Sequence, residues 1–249
     1  ADDGETELYW SMLKPEHCTA AAPCPAIVQV YGGPHVQTVA KGWVGAGDQL
    51  FADQGYILFK LDNRGSWNRG HAFEAALHDR MGGVEVRDQL TGLDYLESLE
   101  FVDSDRIGLW GWSYGGYMTL MTTLQAPGRF DAAVSGAPVT DWALYDTHYT
   151  ERYMDTPQAN EDGYYQGSAF AHLDGYETPT LMIHGMADDN VTFDHSTRLY
   201  AELQQRGELF EMMTYPGQRH GVRPPALQRH LWTTIYDFFG RELSEDDED

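Results

Sequence analysis

RIGLWGWSYGGYMTL, from Arg106 to Leu120, changes character in its middle. Arg106 to Trp112 is apolar and aromatic, as a buried strand would be. From Tyr117 the run turns to residues that suit a helix. Between them lies Gly111-Trp112-Ser113-Tyr114-Gly115. A strand that passes into a helix within so few residues crowds its own backbone. Residues without a Cβ are then needed on either side of the central one. Such a turn lifts the serine hydroxyl clear of the sheet edge.

The surrounding chain repeats the same theme. Strands are expected at Glu7–Leu13, Ala26–Tyr31, Tyr56–Leu61, Phe130–Ala137, Thr180–His184 and Leu209–Tyr215. Helices are expected over Val84–Leu99, after Ser113, over Thr192–Arg206 and over Ala226–Arg241. Several of the strands are apolar on both faces. The expected fold is therefore α/β, a doubly wound, mostly parallel sheet flanked by helices. A G-x-S-x-G between strand and helix in such a sheet has the form of the nucleophile elbow of the α/β-hydrolase fold. Residues 141–176 fit no strand–helix unit and are expected to form an insertion over the sheet. One domain is expected over residues 1–243, with an acidic tail at 244–249.

A serine hydroxyl is a weak nucleophile at neutral pH and needs a base; the base needs an acid to hold its tautomer. In this fold the chain order is serine, acid, histidine, with each partner in a loop at the carboxyl end of a strand. The strand at 180–184 runs into Gly185-Met186-Ala187-Asp188-Asp189-Asn190, which offers Asp188 and its rival Asp189. The strand at 209–215 runs into Pro216-Gly217-Gln218-Arg219-His220, which offers His220 as the base. Bland alternatives exist: Asp188 as a helix N-cap, His220 as an ordinary loop histidine. His184 is read as making a structural hydrogen bond rather than taking part in the chemistry. For the oxyanion, the Tyr114 N–H is the expected first donor. The loop Val30–His35 would supply a second, either the Tyr31 phenol or a backbone N–H.

Composition limits the partners. The 249 residues carry 39 acidic and 16 basic side chains, a net charge of -23, and only three lysines, Lys14, Lys41 and Lys60. Nucleic acid and anionic membrane are poor partners for such a surface. It suits a protein adapted to high salt or simply an acidic enzyme. No cofactor is expected, and no Cys/His cluster has metal spacing. Cys18 and Cys24, the two cysteines, are read as free thiols, with a short-range disulfide as the alternative. The acidic first residues are unlike a signal peptide.

VQVYGGPHVQTV (Val28–Val39), LDNRG (Leu61–Gly65), GWSYGGYMTL (Gly111–Leu120), YDTHYTERYM (Tyr145–Met154) and LMIHGMADDNV (Leu181–Val191) together resemble the C-terminal catalytic domain of the prolyl oligopeptidase family. The likeness is to its dipeptidyl peptidase IV branch in bacterial form, and runs from about Tyr9 to the terminal helix. The resemblance implies Ser113, Asp188 and His220 as the triad, choosing Asp188 over Asp189. It implies the Tyr31 hydroxyl as the second oxyanion donor. It implies a small aromatic pocket suited to proline at Tyr114, Val139, Trp142, Tyr145, Tyr149 and Val191, with Asn190, and less strongly Arg152, holding a substrate carbonyl. It also implies peptide substrates, dimerisation through the 226–241 helix and a β-propeller in the parent chain; the location is left open, with periplasmic or secreted expected ahead of cytoplasmic. The propeller bears the family's amine-binding glutamate pair, and no Glu-Glu pair occurs in this sequence. The expectation is a fragment: the hydrolytic portion of a longer peptidase that releases Xaa-Pro or Xaa-Ala dipeptides. Competing readings on the same scaffold are an acylaminoacyl peptidase, an oligopeptidase, a carboxylesterase, or an inactive binding protein.

Overall fold

The computed structural model describes residues 1–244; of the expected acidic tail, all but Ser244 lies outside the described residues. In chain order the elements are β1 (Tyr9–Leu13), β2 (Cys24–Gln29), α1 (Ala46–Asp53), β3 (Ile57–Asp62), α2 (His71–Glu74), α3 (Val84–Glu97), β4 (Val102–Trp112), α4 (Tyr114–Gln125), β5 (Ala132–Gly136), α5 (Thr147–Met154), α6 (Glu161–Gln166), β6 (Thr180–Gly185), α7 (Asp194–Arg206), β7 (Glu211–Tyr215) and α8 (Pro225–Glu242). The strands form one sheet in the order β1-β3-β2-β4-β5-β6-β7. β1 pairs antiparallel with β3, and all the other pairs are parallel.

Alternation along the strands splits the core in two. Val28, Phe59, Leu109 and Met182 join one apolar cluster with Leu93, Met118 and Leu199 from α3, α4 and α7. Their neighbours Ile27, Leu58, Trp110 and Leu181 join another with Phe51, Ile235 and Phe239 from α1 and α8. Both faces of the sheet are covered, which is why every residue of β5 and β6 is buried. The chain leaves β2 toward one edge of the sheet and β4 toward the other. Strand order thus reverses between β2 and β4, and the loops after these two strands diverge around a crevice.

Two expectations change at this level. Strand β4 begins at Val102, not Arg106; its first residues, Asp103 to Arg106, are polar and hide the strand from a search for apolar runs. Cys18 and Cys24 are not free thiols but form a disulfide. A tight turn with paired Thr19 and Ala22 brings their Cα atoms to 5.4 Å, within disulfide reach. A Cys18→Ser/Cys24→Ser variant should lose about 2 kcal/mol on the loop-entropy account. Its denaturant midpoint against the wild type measures this.

Residues 141–176 do form the expected insertion between β5 and β6. It consists of short 3-10 turns at 142–144 and 169–175 with α5 and α6 between them.

Candidate active site

Ser113 stands at the junction of β4 and α4 with φ 63° and ψ −120°, a strained conformation that neighbours must enforce. Backbone packing does so. A Cβ at Gly111 would lie 2.4 Å from the Gly115 and Val30 carbonyl oxygens, one at Gly115 would lie 2.3 Å from Val30 O, and one at Gly116 would lie 2.3 Å from Gly136 O. Three glycines are therefore needed, not the two that the sequence pattern marks.

The three loops meet as the chain order required. His220 Nε2 is 2.8 Å from Ser113 Oγ, and His220 Nδ1 is 2.8 Å from Asp188 Oδ2. Asp188 Oδ1 accepts the Asn190 N–H at 2.9 Å. Burial alone would push the Asp188 carboxyl up. The hydrogen bonds from His184, His220 and the Asn190 N–H outweigh it and hold the group well below the usual carboxylate range. Asp188 is buried, while Asp189 points outward and pairs with Arg219 at 2.7 Å. Of the two carboxylates, only Asp188 reaches the imidazole.

The loops also brace one another. The Trp112 indole N–H donates to the His220 carbonyl at 2.8 Å. The Ala187 N–H donates to Gln218 O at 2.9 Å, and a Cβ on Gly185 would sit 2.3 Å from Arg219 O. On the other side of the serine, the loop after β2 carries Tyr31. Gly32 takes φ +76°, and its carbonyl accepts the Asn63 amide at 2.9 Å. Asn63 accepts in turn from Gln89 of α3 at 2.7 Å. The LDNRG stretch therefore serves as the anchor of the tyrosine loop. Burial raises the Tyr31 phenol above its ordinary range, so it stays protonated as a donor.

Beside Ser113 is a small cavity of about 80 Å³ lined by Tyr31, Tyr114, Val139, Trp142, Tyr145, Tyr149 and Asn190. Trp142 and Tyr149 lie nearly parallel with centroids 6.1 Å apart, and Tyr145 meets Tyr149 edge-on at 5.4 Å. Tyr145 O–H donates to Asn190 Oδ1 at 2.7 Å, which leaves the amide N–H groups of Asn190 for a ligand carbonyl. Two expected residues fall elsewhere. Val191 is wholly buried in the core and does not line the cavity. Arg152 is exposed on α5, 3.0 Å from His148 Nε2. Larger clefts occur, one of about 610 Å³ bounded by residues 79–83 and α6, but it holds no member of the triad.

One contributor leaves no mark in the sequence. Glu85, wholly buried in the first turn of α3, accepts the Tyr114 phenol at 2.7 Å and the N–H groups of Gly82 and Gly83 at 3.0 and 3.1 Å. Burial raises its carboxyl above the ordinary range, against those hydrogen bonds. It fixes the ring that floors the cavity. The same ring lies under Gly33, where a Cβ would be 2.5 Å from Tyr114 Cγ. A buried polar residue in a helix VEVRDQL reads simply as part of a solvated face, so no sequence signal marked it.

Comparison with known proteins gives a consistent result. The prolyl oligopeptidase family model matches residues 44–246. The chain is 41% identical over 243 residues to dipeptidyl peptidase 8 of Homo sapiens, covering 95% of this chain and 27% of that protein. It is 35% identical over 240 residues to dipeptidyl peptidase 4 of Sus scrofa, covering 94% and 31%. The crystal structure of Porphyromonas gingivalis dipeptidyl peptidase 4 matches with TM-score 0.92 at 33% identity, over 96% of this chain and 34% of that one. The chain thus spans under a third of the curated relatives it matches. Carrying that family's domain on an α/β-hydrolase sheet, the chain belongs to the prolyl oligopeptidase family.

Proposed function

We propose that this chain is the hydrolytic unit of a dipeptidyl peptidase, acting on peptides with proline or alanine before the scissile bond. The aromatic cavity beside Ser113 is the observation that carries the reading. Flat rings spaced as Trp142 and Tyr149 are stack on a pyrrolidine, and a space of about 80 Å³ leaves no room for a long side chain. Similarity to dipeptidyl peptidases 8 and 4 supports it.

Ser113 O–H gives its proton to His220 Nε2 as the oxygen attacks the carbonyl carbon. The His220 Nδ1–H stays on the Asp188 carboxylate, which stabilises the imidazolium. The Tyr31 phenol and the Tyr114 N–H receive the oxyanion. The imidazolium protonates the leaving amine, and water repeats the sequence on the acyl-enzyme. Tyr31→Phe should lower kcat roughly 10²–10³-fold with little change in KM. A loss under about threefold would give the task to a backbone N–H instead.

The free amino terminus of the substrate, in this reading, is held by a propeller elsewhere in the parent chain, and dimerisation through 226–241 belongs to the same proposal. The Cys18–Cys24 disulfide supports a periplasmic or secreted location. The test is kcat/KM of the full-length parent on Ala-Pro-anilide against its N-acetylated twin. A strong preference for the free amine is expected. Equal rates would indicate an oligopeptidase, and preference for the acetylated substrate an acylaminoacyl peptidase.

A further inference from the structure

We infer that His184, at the end of β6, is a positioning residue for the Asp188 carboxylate, so that the reaction depends on a second histidine whose ring never meets substrate. This rests on the triad reading above and deepens it. The ring is wholly buried. Its Nε2 lies 3.2 Å from Asp188 Oδ2 and 2.9 Å from the Val191 carbonyl. Both partners accept only, since the carboxyl is held ionised. Nε2 therefore carries the hydrogen. The other ring nitrogen, Nδ1, is 2.7 Å from Ser196 Oγ of α7, so both edges of the imidazole are held. The Phe193 ring closes one side of the imidazole, edge-on at 5.5 Å.

The two histidines thus offer N–H groups from opposite ring nitrogens, Nε2 of His184 and Nδ1 of His220, to one oxygen. Oδ2 receives His220 and His184, and Oδ1 receives Asn190 N–H. A carboxylate with three donors on two oxygens cannot rotate without losing one. The hydrogen bond from His184 also draws off part of the negative charge that Oδ2 presents to His220. Without it that charge concentrates on the His220 N–H, favours the imidazolium, and makes His220 protonate at a higher pH. The other groups facing this corner are His195 from α7, with Asp194 and Arg198 on the same helix, and Tyr145 across the cavity. Burial pushes His195 down to about 4, and its Nδ1 accepts the Thr140 N–H at 3.1 Å. It stays neutral and cannot substitute for His184. At the mouth, Arg219 and Asp189 neutralise each other.

The experiment is the pH dependence of covalent inactivation of Ser113 by a fluorophosphonate, which needs no peptide specificity. It compares the wild type with His184→Gln, His184→Asn and His184→Leu. Glutamine can keep an N–H near Asp188; asparagine is polar but too short; leucine has no donor. The expected result for Asn and Leu is an acidic limb moved up by roughly half to one pH unit and a plateau lowered roughly tenfold, with Gln close to the wild type. Thermal melting of each variant is read alongside. A merely structural histidine would lower melting and plateau but leave the limb in place, and that result overturns the inference. So does a Gln variant as impaired as Leu. Should leucine fail to fold, the Asn–Gln contrast decides by the same criterion. A wild type that is not labelled at Ser113 would instead remove the triad reading, and this inference with it.

Discussion

Ser113→Ala should lower kcat on an activated acyl ester by roughly 10⁶-fold while leaving the melting temperature nearly unchanged. The two halves of this expectation come from different parts of the site. Turnover falls because Ser113 Oγ is the atom within 2.8 Å of His220 Nε2, and no other hydroxyl takes its place there. Stability holds because the strained backbone at residue 113 is imposed from outside. It is set by the carbonyls of Val30 and Gly136 packed on Gly111, Gly115 and Gly116, and alanine has the same backbone demands as serine. Some acceleration over water should survive, since the Tyr114 N–H and Tyr31 phenol remain. A variant that retained more than about one hundredth of wild-type kcat would remove Ser113 from the role of nucleophile.

The second large effect is expected for Asp188→Asn, about 10⁴-fold in kcat. The carboxylate accepts hydrogen bonds at both oxygens. An asparagine amide has one accepting and one donating end, so either orientation sets an N–H against an N–H. If the donor end faces Oδ2's place, His220 loses its orienting acceptor and turns to the wrong tautomer. If it faces Oδ1's place, the Asn190 N–H is left unpaired. The pH dependence separates this from simple misfolding. Asp188 is depressed in the folded protein. It therefore contributes stability above the unfolded carboxyl value of about 3.9, and that contribution is lost as pH falls through the lower, folded value. The gap in melting temperature between wild type and Asp188→Asn should be full near neutrality and should shrink well below pH 4. A gap that stayed constant down to the acid limit would mean that the charge on Asp188 adds nothing to stability.

Sequence pattern carries the fold and the meeting of Ser113, Asp188 and His220 because both are encoded locally. Burial on both faces makes β5 and β6 mostly apolar, and the loops bearing Asp188 and His220 follow strands directly. What stayed hidden depends on contacts between distant segments. The Glu85–Tyr114 bond joins residues 29 apart, and the Trp112–His220 bond joins residues 108 apart; neither leaves a periodicity to find. Gly116 looks like one helix residue among others until β5 is laid against it. Helix α1, with Phe51 as its buried residue, is too short and too polar to have announced itself. Val191 and Arg152 are implied only by the resemblance, and the chain buries one in the core and leaves the other exposed. The structural hydrogen bond expected of His184 exists, and its Nε2 faces two acceptors, the Val191 carbonyl at 2.9 Å and the Asp188 carboxylate at 3.2 Å.

The contact between the loops after β6 and β7 restricts how this site can be altered. With Gly185 pressed against the carbonyls of Gln218 and Arg219, and Ala187 bonded to Gln218, neither loop has a length of its own. One residue inserted into the aspartate loop would displace the histidine loop by the same step, and the reverse holds as well. Anyone recombining this domain with a relative must therefore exchange residues 185–193 and 216–221 as one cassette. A crossover placed between them would separate two halves of a matched pair.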